Sequence, residues 1–245
     1  MTDLYKMLTK RKSMRKFDEE LYIEKEELED ICGKITNLVP LDPDINVHID
    51  VVTRDDTDAK WGEYCLLLYS EEKPRWLENA GYLLEQMDLI FADMDIGSCW
   101  LGLAKPNEPE ENGLTYAIML AFGKSRPEDF RDDVSRYRRM TAPEIWTGDF
   151  DTSAIEAVRV APSACNSQPW RIVSEAGKIT VFRDMDTEAP YVGERIKYFN
   201  GIDMGICLCC LEIGLDHAGI EYERKLLPED GKTSGLSPVA EYAIK

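Results

Sequence analysis

Residues 161–172 read APSACNSQPWRI. Pro162 and Pro169 each lock φ at about −65°, so the polar residues between them sit on a stiff backbone. Ser163, Asn166 and Gln168 there offer donors and acceptors to a flat polar edge. The residues before it, 151–160, have the apolar spacing of a short helix. Those after it read WRIVS, then EAGK, then ITVFR, which predicts a hairpin. A long apolar helix is expected over 200–218, a strand over 220–227 and a last short strand over 240–244. Helix, rigid loop, hairpin and helix do not alternate regularly, so an α+β fold with an antiparallel-dominated sheet flanked by helices is expected, rather than a doubly wound sheet.

Working outward, the N-terminal half shows the same mixture. Short helices are expected over 2–10, with Thr2 as the N-cap candidate, and over 24–36. Residues 45–53, INVHIDVVT, alternate strictly and predict a half-buried strand. YCLLLY at 64–69 and TYAIMLAFG at 115–123 read as buried strands. A long apolar helix is expected over 77–94, with Gly97 as its stop, then SCWLGL as a strand or turn, a loop over 107–114 and a charged helix over 127–139. The helices near 80–94 and 200–217 are similar enough to suggest an internal repeat. Two halves, 1–139 and 140–245, are the expected organisation.

With 245 residues, 44% hydrophobic and 31% charged, the chain can bury a sizeable core. No apolar run is expected to reach the roughly 18 residues that span a bilayer, and the N-terminus lacks a signal-like apolar core. A cytoplasmic protein without a membrane partner is therefore expected. A net charge of −18 argues against nucleic acid as a partner. Against that background, residues 10–16, KRKSMRK, hold five basic residues in seven, and Arg136, Arg138 and Arg139 form a second basic cluster. Such clusters in an acidic chain suit a small anion. The seven cysteines form no framework. Cys207, Cys209 and Cys210 lie in an apolar helical pattern without further ligands, so they read as buried thiols and no metal is expected.

Two segments, RKSMRKF at 11–17 and APSACNSQPWRI at 161–172, together resemble the FMN-dependent nitroreductase family, with its Arg-x-Ser-x-Arg and Pro-Ser-x-x-Asn-x-Gln-Pro-Trp motifs. GSCWLG at 97–102 and the basic run at 136–139 are similar to two further features of that family, in the same order. One departure stands out. Ordinary members carry the second motif soon after the first, where this chain reads KITNLVPLDPDIN. Here each half keeps one motif. The chain resembles the branch in which one polypeptide mimics the family's dimer, which implies an intrachain pseudo-dimer of two similar halves and a monomer.

The resemblance implies FMN as cofactor, with NADH or NADPH as transient electron donor. Arg11, Lys12, Ser13 and Arg15 are implied to hold phosphate, ribityl chain and ring edge, and charge-assisted hydrogen bonds of this kind contribute about 1.5–3 kcal/mol each. Pro162, Ser163, Ala164, Asn166 and Gln168 are implied to face the ring, with backbone from Leu101 and Gly102 nearby and Arg138 and Arg139 closing on the phosphate. The simpler readings stand beside these: basic residues at a helix end, a solvated Arg face, a structural loop entering a hairpin, and Trp170 as core. His48 and His217 do not support a nucleophilic triad, and no catalytic residue is named, since hydride transfer belongs to the cofactor. The implied function is ping-pong reduction of nitroaromatics, quinones or similar electron-poor small molecules by NAD(P)H. Alternatives are a dehalogenating or flavin-modifying enzyme of the same superfamily, a flavin carrier or sensor without turnover, and an anion- or nucleotide-binding module.

Overall fold

A computed structural model describes residues 4–18, 20–134, 138–190 and 192–245. Backbone contacts divide the chain into two units, Met1–Val134 and Ser135–Lys245.

Unit 1 runs α1 (Tyr5–Lys10), α2 (Lys25–Ile35), β1 (Val47–Thr53), β2 (Tyr64–Ser70), α3 (Trp76–Asp93), β3 (Ile96–Leu101), β4 (Glu110–Glu111) and β5 (Leu114–Lys124). Its five-stranded sheet has the order β1-β2-β5-β3, with β4 paired to β5, and every pairing is antiparallel. Period-2 alternation in β2 sends Leu66 and Leu68 to one face and Cys65, Leu67 and Tyr69 to the other. α3 covers the first face, where Phe91 stacks on Phe122 with ring centroids 4.6 Å apart. The second face gathers Cys65, Leu67, Tyr69, Cys99, Leu101, Met119 and Ala121 under Trp61, Ala104 and Tyr116.

Unit 2 runs α4 (Ala142–Ile145), β6 (Trp146–Thr147), α5 (Thr152–Val160), β7 (Trp170–Glu175), β8 (Lys178–Asp184), α6 (Ile196–His217), β9 (Tyr222–Leu226) and β10 (Leu236–Ile244). Its sheet has the order β6-β7-β8-β10-β9. Only the short β6–β7 pairing is parallel. The β7–β8 hairpin turns at Ala176 and Gly177, both with positive φ (50° and 76°), the geometry of a type I′ turn. Asp151 caps α5 by accepting the Ser153 N–H at 2.7 Å. α5 and α6 approach closely: a Cβ placed on Gly214 would lie 2.8 Å from Ala154 Cα and Ala157 Cβ.

Several expectations change. The charged helix over 127–139 is only a 3₁₀ turn at Pro127–Asp129, followed by irregular chain as far as it is described. Phe130 is drawn into a small apolar cluster with Met14 and Ala92, and the Arg131 N–H is given to the Lys10 carbonyl instead of to its own helix. Gly97 does not stop α3. It lies inside β3, and the left-handed residue after the helix is Asp95 (φ 56°). The loop over 107–114 contains the small β4–β5 hairpin, turning at Asn112-Gly113. β10 begins four residues before the expected strand and absorbs Pro238 through a register shift between Pro238 and Ala240. Among the described residues one apolar segment, Gly193–His217, does reach membrane-spanning length, with an 18-residue stretch of mean hydropathy 1.3, but 89% of that stretch is buried inside the protein, which makes it a core helix. Thr2 and Arg136 lie outside the described residues.

Candidate functional site

Unit 1 builds the Arg-x-Ser-x-Arg segment around one carboxylate. After α1 the chain turns extended at Arg11 (φ −60°, ψ 136°) and runs beside β3: Ser13 bridges Ser98 in parallel, and the Met14 N–H donates to the Ser98 carbonyl at 2.8 Å. Gly97 permits this approach, because a Cβ there would lie 2.8 Å from Met14 Cγ. Arg11 is 4% exposed, and its Nε donates to Asp88 on α3 at 2.5 Å. The same carboxylate accepts the Ser98 hydroxyl and the Trp100 indole N–H, the latter at 2.8 Å. Three donors on one fully buried acid supply the partners that a buried charge needs. Arg11 Nη2 reaches the Ser13 hydroxyl at 3.4 Å, and Arg131 donates to the Arg11 carbonyl at 3.4 Å. Lys12 is half-buried. Arg15 is exposed, with its guanidinium 5.9 Å from the centre of the Trp61 ring. Leu101 points into the core, and Gly102 is exposed.

Unit 2 builds the loop between α5 and β7. Three of its residues hold left-handed backbone without being glycine: Cys165 (φ 52°), Asn166 (φ 59°) and Gln168 (φ 48°). Such conformations cost of order 1–3 kcal/mol each and persist only where surroundings enforce them. Enforcement here comes from α6. Asp203 accepts the Ala164 N–H at 2.9 Å and the Ser167 hydroxyl at 3.3 Å, while Asn200 accepts that same hydroxyl at 3.0 Å. Burial pushes the Asp203 carboxyl up to about 7, against the lowering effect of those two donors and of the Arg183 and Arg139 charges. Above that pH it becomes a buried anion that tightens both bonds.

From the other side the loop is tied to residues 138–140. Arg139 donates to the Asn166 side-chain oxygen and, at 3.4 Å, to the Val160 carbonyl. The Asn166 amide donates to the Arg138 carbonyl at 2.7 Å. Gln168, 3% exposed, accepts the Met140 N–H at 2.8 Å and donates to the Asn166 carbonyl at 3.1 Å, while its own N–H donates to the Ser163 hydroxyl at 3.0 Å. Pro162 is buried, Ser163 and Ala164 are half-buried, and Arg138 is exposed. Both hydrogen-bonding ends of the Asn166 and Gln168 side chains are therefore engaged in shaping the loop. Trp170 is fully buried, as expected of a core residue.

Within unit 1 the structure thus gathers Arg11 and Ser13, and within unit 2 it gathers Ser163, Asn166, Gln168 and Arg139. Sequence reasoning missed Asp88, Asn200 and Asp203. Asp88 and Asp203 share one signal: an acid inside an otherwise apolar helical stretch, which must find partners when buried. Cys207, Cys209 and Cys210, further along α6, are buried, and burial raises the Cys207 thiol far out of the range where it ionises.

A family model described as "Putative TM nitroreductase" matches residues 3–215. The fold is similar to that of a crystal structure titled "putative nitroreductase" from Thermotoga maritima, at 17% identity and TM-score 0.65 over 98% of this chain and 93% of that one. A nitroreductase family protein from Clostridium difficile matches at 13% identity and TM-score 0.46, over 60% of this chain and 98% of that one. No curated protein matches the chain.

Proposed function

Because the chain belongs to the "Putative TM nitroreductase" family, we propose that it is an FMN-dependent oxidoreductase that passes electrons from NADH or NADPH to electron-poor small molecules. Membership in that family points to oxidoreductase function. The finer reading rests chiefly on one observation: the loop from Pro162 to Pro169 holds three left-handed residues in place through bonds to Asp203, Asn200 and Arg139. A loop held so firmly at this cost is suited to presenting backbone polar groups rigidly to a flat ring.

Each unit, taken by itself, offers groups of a kind that such a cofactor uses. Arg15 and Ser13 offer the donor types that a phosphorylated ribityl chain requires. Arg11 keeps its position through Asp88. The loop offers its main chain, because the Asn166 and Gln168 side chains already have partners. FMN, when bound, would supply the hydride chemistry. The protein's own tasks are to hold it, to exclude water and to admit donor and acceptor in turn. Each motif occurs once, so we propose one flavin per chain and a monomer built from two similar halves.

The test is a visible spectrum of the purified chain after loading with FMN and removing the excess. Flavin bands near one equivalent, bleached by NADH or NADPH and restored by a nitroarene or quinone, are expected. Arg15→Ala should lower flavin retention at unchanged thermal stability. A folded chain that retains no flavin would overturn the reading, and flavin that binds but is never reduced would leave a carrier.

A further inference from the structure

Unit 1 contains an open cavity of about 780 Å³ whose lining includes Arg15, Lys16, Tyr22, Lys60, Trp61 and Glu63. That volume is in the range of small-molecule sites, and three features of its wall point to one kind of occupant.

The first feature is charge. Among the lining residues, Lys124 is paired with Glu27, Asp18 with Arg126, and Arg54 with Asp55 at 3.8 Å. Arg15, Lys16 and Lys60 have no ion-pair partner among the described residues. The one remaining acid is Glu63, which accepts the Ile23 N–H at 2.9 Å. A chain with a net charge of −18 therefore sets three cations without an ion-pair partner among the described residues against one acid, Glu63, around one cavity. The second feature is a flat surface: the Arg15 guanidinium lies 5.9 Å from the Trp61 ring centre, and guanidinium and indole together favour stacking by another ring. The third is an apolar rim. Leu21 and Tyr22, 40% and 61% exposed, both line the opening.

We propose that this cavity binds an aromatic ring carrying an acidic substituent, and that the electron acceptors of the enzyme are nitroarenes or quinones that bear a carboxylate or sulfonate, the nitro or quinone group taking the electrons and the acid serving for recognition. Resting on the flavin reading above, this names the substrate class. Trp61 takes the ring, Lys16 and Lys60 take the anionic group, Arg15 at the wall stays with the cofactor, and neutral analogues lose the contribution of the two lysines.

Calorimetric titration of the full chain with 4-nitrobenzoate and with neutral 4-nitrobenzamide tests this without turnover. The nitrobenzoate should bind at least about fivefold more tightly, as two solvent-exposed ion pairs allow. The double variant Lys16→Ala/Lys60→Ala should abolish that preference while keeping flavin retention and thermal stability. Both positions are exposed, so the variant is expected to fold. Equal affinity for the two compounds, or a preference that survives the double substitution, overturns the proposal. Loss of FMN in the double variant overturns it too, because the cavity would then belong to the cofactor. If nitrobenzoate binds as expected to a chain that takes up no flavin, the cavity assignment stands and the oxidoreductase reading falls.

Discussion

At the scale of single residues, two buried aspartates organise the candidate residues, and they differ in what holds them. Asp88 meets a full cation, Arg11, with both side chains out of solvent. Removing one partner of such a pair strands the other charge, so Asp88→Ala should cost about 3–5 kcal/mol, read as a lower urea midpoint. Asp203 meets an N–H and a hydroxyl directly, and burial sets its titration at about 7. The sign follows from linkage. Folded Asp203 binds a proton more tightly than in the unfolded chain, where the ordinary value is 3.8. Its contribution to stability is fully present below about pH 4 and is lost as pH rises through 7. Relative to the wild type, Asp203→Asn should therefore gain stability between pH 5 and 8, measured as the difference of urea midpoints across about that range. An unchanged difference would mean that folded Asp203 does not titrate within that range.

At the scale of elements, two glycines in helices make opposite predictions. A Cβ on Gly33 in α2 meets nothing within 4 Å, so Gly33→Ala should stabilise by about 0.5–1 kcal/mol through helix propensity. Gly214→Ala gains the same propensity but pushes into Ala154 and Ala157 of α5, and overpacking costs about 1–3 kcal/mol. A lower melting temperature for the second and a higher one for the first are expected. Gln168→Ala should cost about 1–3 kcal/mol, because the Met140 N–H loses its acceptor. Elements with strong periodicity were legible: β2, β5, α3 and the β7–β8 hairpin all carry their apolar pattern on the surface of the sequence. The 127–139 segment was not, since charge at helical spacing fits an exposed helix as readily as an irregular chain. The β4–β5 turn carried a readable Asn-Gly signal, obscured by the acidic, proline-containing residues before it. Among the candidate residues, the buried acids that anchor the motif segments were not legible. What buries Asp88 and Asp203 is decided by tertiary packing.

At the scale of the whole molecule, net charge sets the terms on which an anion arrives. A phosphorylated cofactor approaches against a field of −18 charges and is then held by arginines in the proposed reading. Salt screens both effects, with a Debye length of about 8–10 Å at physiological ionic strength beyond which little of the field remains. Raising salt from about 20 to 200 mM should therefore speed FMN association while also speeding its release, in stopped-flow flavin fluorescence. Association that slows with salt would mean that the local basic cluster outweighs the total charge.

The distribution of thiols has a practical consequence. Cys165 and Cys32 are exposed and the other five cysteines are buried. Cys165 sits at the turn of the loop in left-handed backbone. A colorimetric thiol reagent should modify two groups quickly in the folded chain and the rest only on unfolding. Replacing Cys32 by serine would leave Cys165 as a single chemical address, so that a dye or spin label attached there reports the loop's motions directly.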